Sequence, residues 1–292
     1  MKQLLILSGK GGTGKTTVAS AMIRMSEAPA CADCDVDAPN LHLVLGYGED
    51  AERKDYFGLP KARIDKDLCT MCGICSDKCR FGAIDMGDRA EVNPYACEGC
   101  GLCKAVCPSD AIEMLPSVAG DLMLYSDTER GIFSTARLRM GNGTTGLLVT
   151  EVKKQMKKAA GNAPFAIIDG SPGIGCPVIA SITGVHTVLV VAEPSLSGIS
   201  DMERVLDTAD RLGPRTAVCV NRSDTNPAMT ERIRSLCSGR GVPYLGEIPY
   251  DPKAVDAVNR GLTLADVECP AGEAVRTIFG KIVKLMEGGE GV

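Results

Sequence analysis

The sequence is short of several things, and each shortage narrows the reading. No apolar stretch approaches the roughly 20 residues that a membrane span needs; the longest, such as Thr187–Ala192, are strand-length. The opening Met1-Lys2-Gln3-Leu4-Leu5-Ile6-Leu7-Ser8 runs too directly into a glycine loop to be a secretory leader. These two lacks predict no membrane span and a cytoplasmic location, where thiols stay reduced. A basic excess is also missing. Lys and Arg number 32 against 37 Asp and Glu, a net charge of −5, which argues against a nucleic-acid partner because phosphate neutralisation needs a basic face. Lys153, Lys154, Lys157 and Lys158 do cluster, but at helical spacing, which reads as a solvated helix face.

What is present is an ordinary globular composition, 45% apolar and 24% charged over 292 residues, with room for one large domain and a small insert. Cysteine is the exception. Fourteen of them in a reducing compartment point to metal ligation over disulfides. Eight fall into two runs, Cys69-x2-Cys72-x2-Cys75-x3-Cys79 and Cys97-x2-Cys100-x2-Cys103-x3-Cys107, the ligand spacing of a bacterial ferredoxin with two [4Fe–4S] clusters. In that spacing the fourth cysteine of each run ligates the other run's cluster. The expected sets are therefore Cys69, Cys72, Cys75 and Cys107 for one cluster, and Cys97, Cys100, Cys103 and Cys79 for the other. Structural zinc, the rival, normally uses separated Cys-x2-Cys pairs. Arg80 follows Cys79 where Pro108 follows Cys107, and a guanidinium there would raise one potential and make the centres inequivalent. Cys31, Cys34, Cys219, Cys237 and Cys269 read as small buried hydrophobes.

Along the chain, Gln3–Leu7 reads as a buried strand, Lys15–Met25 as a helix and Ala30–Asp33 as a short strand. Composition changes over residues 61–116, which are dense in Cys and Gly and carry an internal repeat: Ile64–Cys69 resembles Val92–Cys97, and Cys79–Ile84 resembles Cys107–Ile112. After a possible hairpin of Gly120–Tyr125 with Gly131–Leu138, strands at 165–169, 187–192, 216–221 and 244–248 alternate with helices at 147–160, 177–183, 198–212, 227–238 and 272–286. That alternation predicts an α/β fold, a doubly wound and mainly parallel sheet, in residues 1–60 and 117–292, interrupted by a ferredoxin-like domain at 61–116. The amphipathic last helix is expected to dock on the sheet.

Gly9-Lys10-Gly11-Gly12-Thr13-Gly14-Lys15-Thr16 is a phosphate-binding loop between a strand and a helix. Its backbone N–H groups and helix N-terminus suit phosphates, Lys15 reaches the β/γ-phosphates and Thr16 ligates Mg²⁺. Gly11, Gly12, Thr13, Gly14, Lys15, Thr16 and Thr17 are thus candidate ATP contacts. The Lys-Gly-Gly-x-Gly-Lys-Thr form of this loop resembles that of the MinD/ParA superfamily, which includes the nitrogenase iron protein and Mrp-type cluster carriers. The resemblance implies that Lys10 crosses a dimer interface to the partner's nucleotide and that Asp35 is the first-switch aspartate. It further implies that Asp169 is the Walker B acid, that Gly170-Ser171-Pro172-Gly173 is the second switch, and that Asn221 reads adenine beside Pro249 and Asp251. Cys176 sits where the iron protein carries a ligating cysteine, but residues 131–146 lack the second cysteine that protein uses, and the Mrp-type Cys-x-x-Cys is absent.

The expected function is an Mg²⁺-dependent ATPase, dimeric with itself or with a similar ATPase, that couples ATP to electron transfer through two [4Fe–4S] clusters toward a redox or metalloprotein partner. The alternatives are an ATP-dependent cluster assembly or carrier factor and a ParA-like positioning ATPase with structural clusters.

Overall fold

The computed structural model describes residues 1–48, 50–127 and 130–288. The chain opens with β1 (Lys2–Leu7), whose Leu4, Leu5, Ile6 and Leu7 are fully buried, as a central strand covered on both faces must be. After the glycine loop come α1 (Lys15–Ser26), β2 (Ala30–Asp33), a short α2 (Leu41–Leu45) and β3 (Glu52–Phe57). A small unit follows: β4 (Lys61–Ile64), α3 (Ile74–Lys78), β5 (Ile84–Met86), β6 (Ala90–Val92), α4 (Leu102–Ala105) and β7 (Ile112–Leu115). β8 (Val118–Asp127) and β9 (Gly131–Leu138) then pair as an antiparallel hairpin. Strands and helices alternate after it: α5 (Thr145–Ala160), β10 (Phe165–Asp169), α6 (Cys176–Ile182), β11 (Thr187–Ala192), α7 (Leu196–Leu212), β12 (Arg215–Asn221), α8 (Pro227–Arg240), β13 (Tyr244–Ile248), α9 (Pro252–Asn259) and α10 (Pro270–Glu287).

Nine strands of the described residues form one sheet in the order β13-β12-β11-β1-β10-β2-β9-β8-β3. Pairing is parallel from β13 through β9 and antiparallel for β8 and β3. One face is covered by α5 to α8, with Val149, Val152, Val178, Ile182, Val205 and Ile233 buried against it. The other carries α1 and α10 through Val18, Met22, Val275, Ile278 and Ile282. β1 lies between β10 and β11, so the strand order switches sides at the phosphate loop, where ligands of open α/β sheets bind.

Of the basic cluster on α5, Lys154, Lys157 and Lys158 are exposed as a solvated face should be, and Lys153 departs from it. Lys153 is buried, and its Nζ donates to the carbonyls of Ala180 (3.0 Å), Ser181 (2.5 Å) and Thr183 (2.7 Å) at the end of α6. The C-terminal carbonyls of a helix lack partners of their own, and an ammonium satisfies them along the dipole. Burial pulls the Lys153 amine down to about 8, with Cys34 opposing and Lys157 reinforcing. Lys153→Met should cost about 1–3 kcal/mol in urea denaturation, the cost of buried carbonyls left without a donor; a loss below ~0.5 kcal/mol, the range of surface changes, would refute that capping role.

Residues 61–115 form two small two-stranded sheets, β4-β7 and β5-β6, around a core of their own that includes Ala62, Ile64, Ala83, Ile84, Ala90 and Ile112. β3 and β8 pair from Glu52↔Leu124 to Phe57↔Val118, and β4 and β7 pair from Lys61↔Leu115, so the unit grows from the end of that antiparallel ladder. Its halves repeat in backbone as well as sequence. Asp65 N–H donates to Ala111 O and Asn93 N–H to Ala83 O, each at 2.8 Å. Positive φ recurs at matching places: Met71 (55°) and Gly99 (66°), Gly73 (77°) and Gly101 (74°), Gly82 (58°) and Asp110 (50°).

Candidate functional site

The phosphate loop leaves the end of β1, and its lysine points at the sheet. Lys15 Nζ lies 2.6 Å from Asp169 Oδ1 at the end of β10, and Thr16 donates its hydroxyl to Asp169 Oδ2 at 2.7 Å. Both members of the ion pair are buried. Burial alone would lower the Lys15 ammonium, but Asp169, with Asp33 and Asp35 behind it, holds it above its ordinary value. Gly11 and Gly12 are exposed, whereas Thr13 is buried and its Oγ1 has no partner among the described residues. Gly14 has φ +87°, and a Cβ there would run into Asn221 Nδ2. Asn221 in turn donates to Thr13 O at 2.7 Å, bracing the loop from the end of β12.

Two further segments are tied to this centre. Asp33, fully buried, accepts N–H bonds from Asp35 (2.9 Å), Asn40 (3.1 Å) and Leu41 (3.0 Å), so it is the anchor of the 34–41 loop. Burial, then the charge of Asp169, pushes the Asp33 carboxyl up to about 7, against Lys15 and the N–H groups of Leu41 and Asp35. Asp35 is half-buried, raised chiefly by burial with Lys15 opposing, while Asp37 is exposed. After β10, Gly170 N–H bonds Ile6 O, Gly173 N–H bonds Ser8 O, and the Ser171 hydroxyl reaches Cys34 O. The 170–173 segment is thereby linked to the phosphate loop and to the 34–41 loop.

Lys10 points back into its own chain. Its Nζ pairs with Glu193 Oε2 at 2.6 Å and reaches Ser197 Oγ at 3.3 Å, and Glu193 also faces Arg222 at 3.8 Å. Nothing in the sequence around Glu193 singles out that acid. Next to the loop, a cavity of about 200 Å³ gathers Gly14, Thr17, Asn221, Pro249, Tyr250 and Asp251. Asp251 caps α9 by accepting from Lys253 N–H at 3.0 Å, with Pro252 at the first helical position. The sequence reading set no helix at α9; the Asp-Pro start is the signal that could have found it.

The eight run cysteines divide between two cavities. Cys69, Cys72, Cys75 and Cys107 line one of about 20 Å³, and Cys79, Cys97, Cys100 and Cys103 line another of about 280 Å³. The cavities are unequal in size, and Lys78, Arg80 and Glu98 line the larger. Backbone N–H groups point at sulfur in both halves, Ala83 at Cys79 Sγ (3.4 Å) and Ala111 at Cys107 Sγ (3.3 Å). Burial raises the Cys75 and Cys103 thiols; at Cys107 burial is outweighed by hydrogen bonds from Ser109 and Ala111, and the thiol falls below its ordinary value. Among the described residues no three His, Cys, Asp or Glu side chains converge as around a single ion. The thiols of each set line the wall of their own cavity. Cys176 is exposed at the start of α6, and Cys31, Cys34, Cys219, Cys237 and Cys269 are buried.

No described helix is long and apolar enough to cross a membrane. Residues 4–264 match the family model of the CobQ/CobB/MinD/ParA nucleotide binding domain. An uncharacterised protein of Methanocaldococcus jannaschii is 29% identical, over 97% of this chain and 97% of its own. Of solved structures, the MinD cell division protein of Aquifex aeolicus is similar with a TM-score of 0.58 at 19% identity, covering 100% of this chain and 99% of that one. The septum site-determining protein MinD of Pyrococcus horikoshii, complexed with Mg-ADP, gives 0.55 at 20% identity over 97% and 96%. The α/β sheet with its phosphate loop is the P-loop NTPase fold, and the chain belongs to the CobQ/CobB/MinD/ParA family of nucleotide binding domains.

Proposed function

We propose that this chain is an ATP-gated iron–sulfur switch: an Mg²⁺-dependent ATPase, closing on ATP as a homodimer or with a similar ATPase, that couples nucleotide state to electron transfer. The observation that carries the reading is the division of eight cysteines into two four-thiol cradles inside a MinD/ParA-family ATPase. Thr16 would hold Mg²⁺ and Asp169 its waters, Lys15 the β/γ-phosphates, and the cavity of Asn221, Pro249 and Asp251 the adenine. Asp35 would orient the attacking water. Lys10 would leave Glu193 to reach the nucleotide of the partner subunit. Two [4Fe–4S] clusters on the crossed cysteine sets supply one-electron carriers when bound.

The test is anaerobic redox titration of the reconstituted protein with ATP, ADP and no nucleotide. The expected result is a midpoint potential of at least one cluster that shifts with ATP; three identical titrations, with an unchanged rate of electron transfer to an acceptor, would remove the coupling. A second reading is favoured by the septum-site proteins among the structural relatives: a positioning switch whose clusters are staples. It expects ATP hydrolysis indifferent to cluster oxidation state and loss of the 61–115 fold without iron. Transfer of labelled iron to an apo-acceptor would instead favour the carrier role.

A further inference from the structure

The two cradles are alike in fold but not in what lies behind them. Met71 and Gly99 occupy matching positions with the same left-handed φ, so backbone conformation alone does not require glycine at 99. Met71 is exposed. Gly99 instead packs on the segment joining β3 to β4, where a Cβ would run into Pro60 O and meet Leu59 Cβ at 3.0 Å. Lys61 donates its ammonium to Cys97 O beside it. The Cys97–Cys100 wall is therefore the side of the unit that packs on the segment by which the chain enters it.

That wall also meets the loop between β9 and α5. A Cβ on Gly141 would come 3.1 Å from Tyr95 Cδ1, and one on Gly143 would come 3.1 Å from Glu98 Oε2. Gly146, in the first turn of α5, faces the backbone of Cys176, whose O and C would lie 3.1 and 3.2 Å from a Cβ. Cys176 begins α6, directly after the 170–173 segment tied to the phosphate loop through Gly173 and Ser8. The loop and the first turn of α5 thus reach Cys176, three residues after the 170–173 segment, at one end and one cysteine run at the other.

We infer that the cradle of Cys79, Cys97, Cys100 and Cys103 is the one that reports nucleotide state, through Tyr95 and Glu98, which lie beside Gly141 and Gly143 in the loop that leads into α5, whose first turn abuts Cys176. The inference rests on the nucleotide-gated reading above. It makes the first cradle the centre whose surroundings ATP leaves alone.

The experiment is hydrogen–deuterium exchange on the full chain, with and without ATP and magnesium, comparing the natural protein with a Tyr95→Ala/Glu98→Ala variant. Both side chains are exposed, so their removal leaves the core intact. In the natural protein ATP is expected to slow exchange about tenfold over 139–147, 170–182 and 93–101, the factor given by ~1.4 kcal/mol of local protection, and to leave 66–76 unchanged. In the variant the response at 170–182 stays and that at 93–101 is lost. A response at 170–182 with none at 93–101, an equal response at 66–76, or a variant that keeps the 93–101 response overturns the inference alone. Silence at 170–182 overturns the nucleotide-gated reading and the inference with it. The readout needs no bound cluster, so failure to take up iron is a separate result, scored by iron content.

Discussion

Lys15→Met should lower ATP hydrolysis by at least about a hundredfold, the scale of losing one charge-stabilising group from a phosphoryl-transfer site. The same substitution should destabilise the chain. Lys15 Nζ is the cation on Asp169, and both are buried, so its loss leaves a buried carboxylate with Thr16 as its remaining side-chain donor. Breaking a buried pair from one side costs about 3–5 kcal/mol, more than the pair itself contributes. Those two consequences can be separated. Adding Asp169→Asn removes the stranded charge, so the double variant should regain most of the stability in urea titration while hydrolysis stays absent. A double variant no more stable than Lys15→Met would show that the two groups are uncoupled. A Lys15→Met protein hydrolysing ATP within a few-fold of the natural rate would remove the phosphate role from this loop.

The features that were legible in the sequence are those whose physics is local or periodic. β1, β10 and β11 are apolar runs bounded by turn residues, and they appear where the pattern puts them. The phosphate loop needs its glycines in a fixed order, so its position was readable to the residue. β3 was not legible, because an edge strand has no reason to look apolar: Glu52, Arg53, Lys54 and Asp55 are exposed and only Tyr56 is buried, and charge on an edge is what prevents further pairing. The environment of Lys153 was hidden for the opposite reason. Helical spacing places four lysines on neighbouring faces, but only tertiary packing decides that one of them meets the end of α6. Glu193 and Glu98 belong to the same class. Each acquires its neighbours from a segment far away in sequence, Lys10 and Gly143 respectively, and no spacing rule connects them.

The cysteine runs allow a prediction of pairing as well as of presence. If Cys79 completes the set of Cys97, Cys100 and Cys103, then Cys79→Ser and Cys100→Ser damage one cradle, and the double variant should hold about as much iron as either single variant, roughly four per chain against roughly eight. Cys79→Ser with Cys72→Ser damages both cradles and should bring iron close to zero. Ligation within each run predicts the reverse: Cys79 and Cys72 would then share a cradle, and that double variant would keep about four. The structure has a reason for the crossing. Asp65, at the entry to the first run, bonds Ala111 beyond Cys107, and Asn93, at the entry to the second, bonds Ala83 beyond Cys79. Each run's last cysteine is thereby carried across to the other run's opening three, and the cavity linings divide the same way. Iron and sulfide analysis after anaerobic reconstitution reads the outcome directly. Equal iron in all double variants would mean that the thiols do not hold clusters as sets, and zinc at one per cradle with no labile sulfide would replace the iron–sulfur assignment altogether.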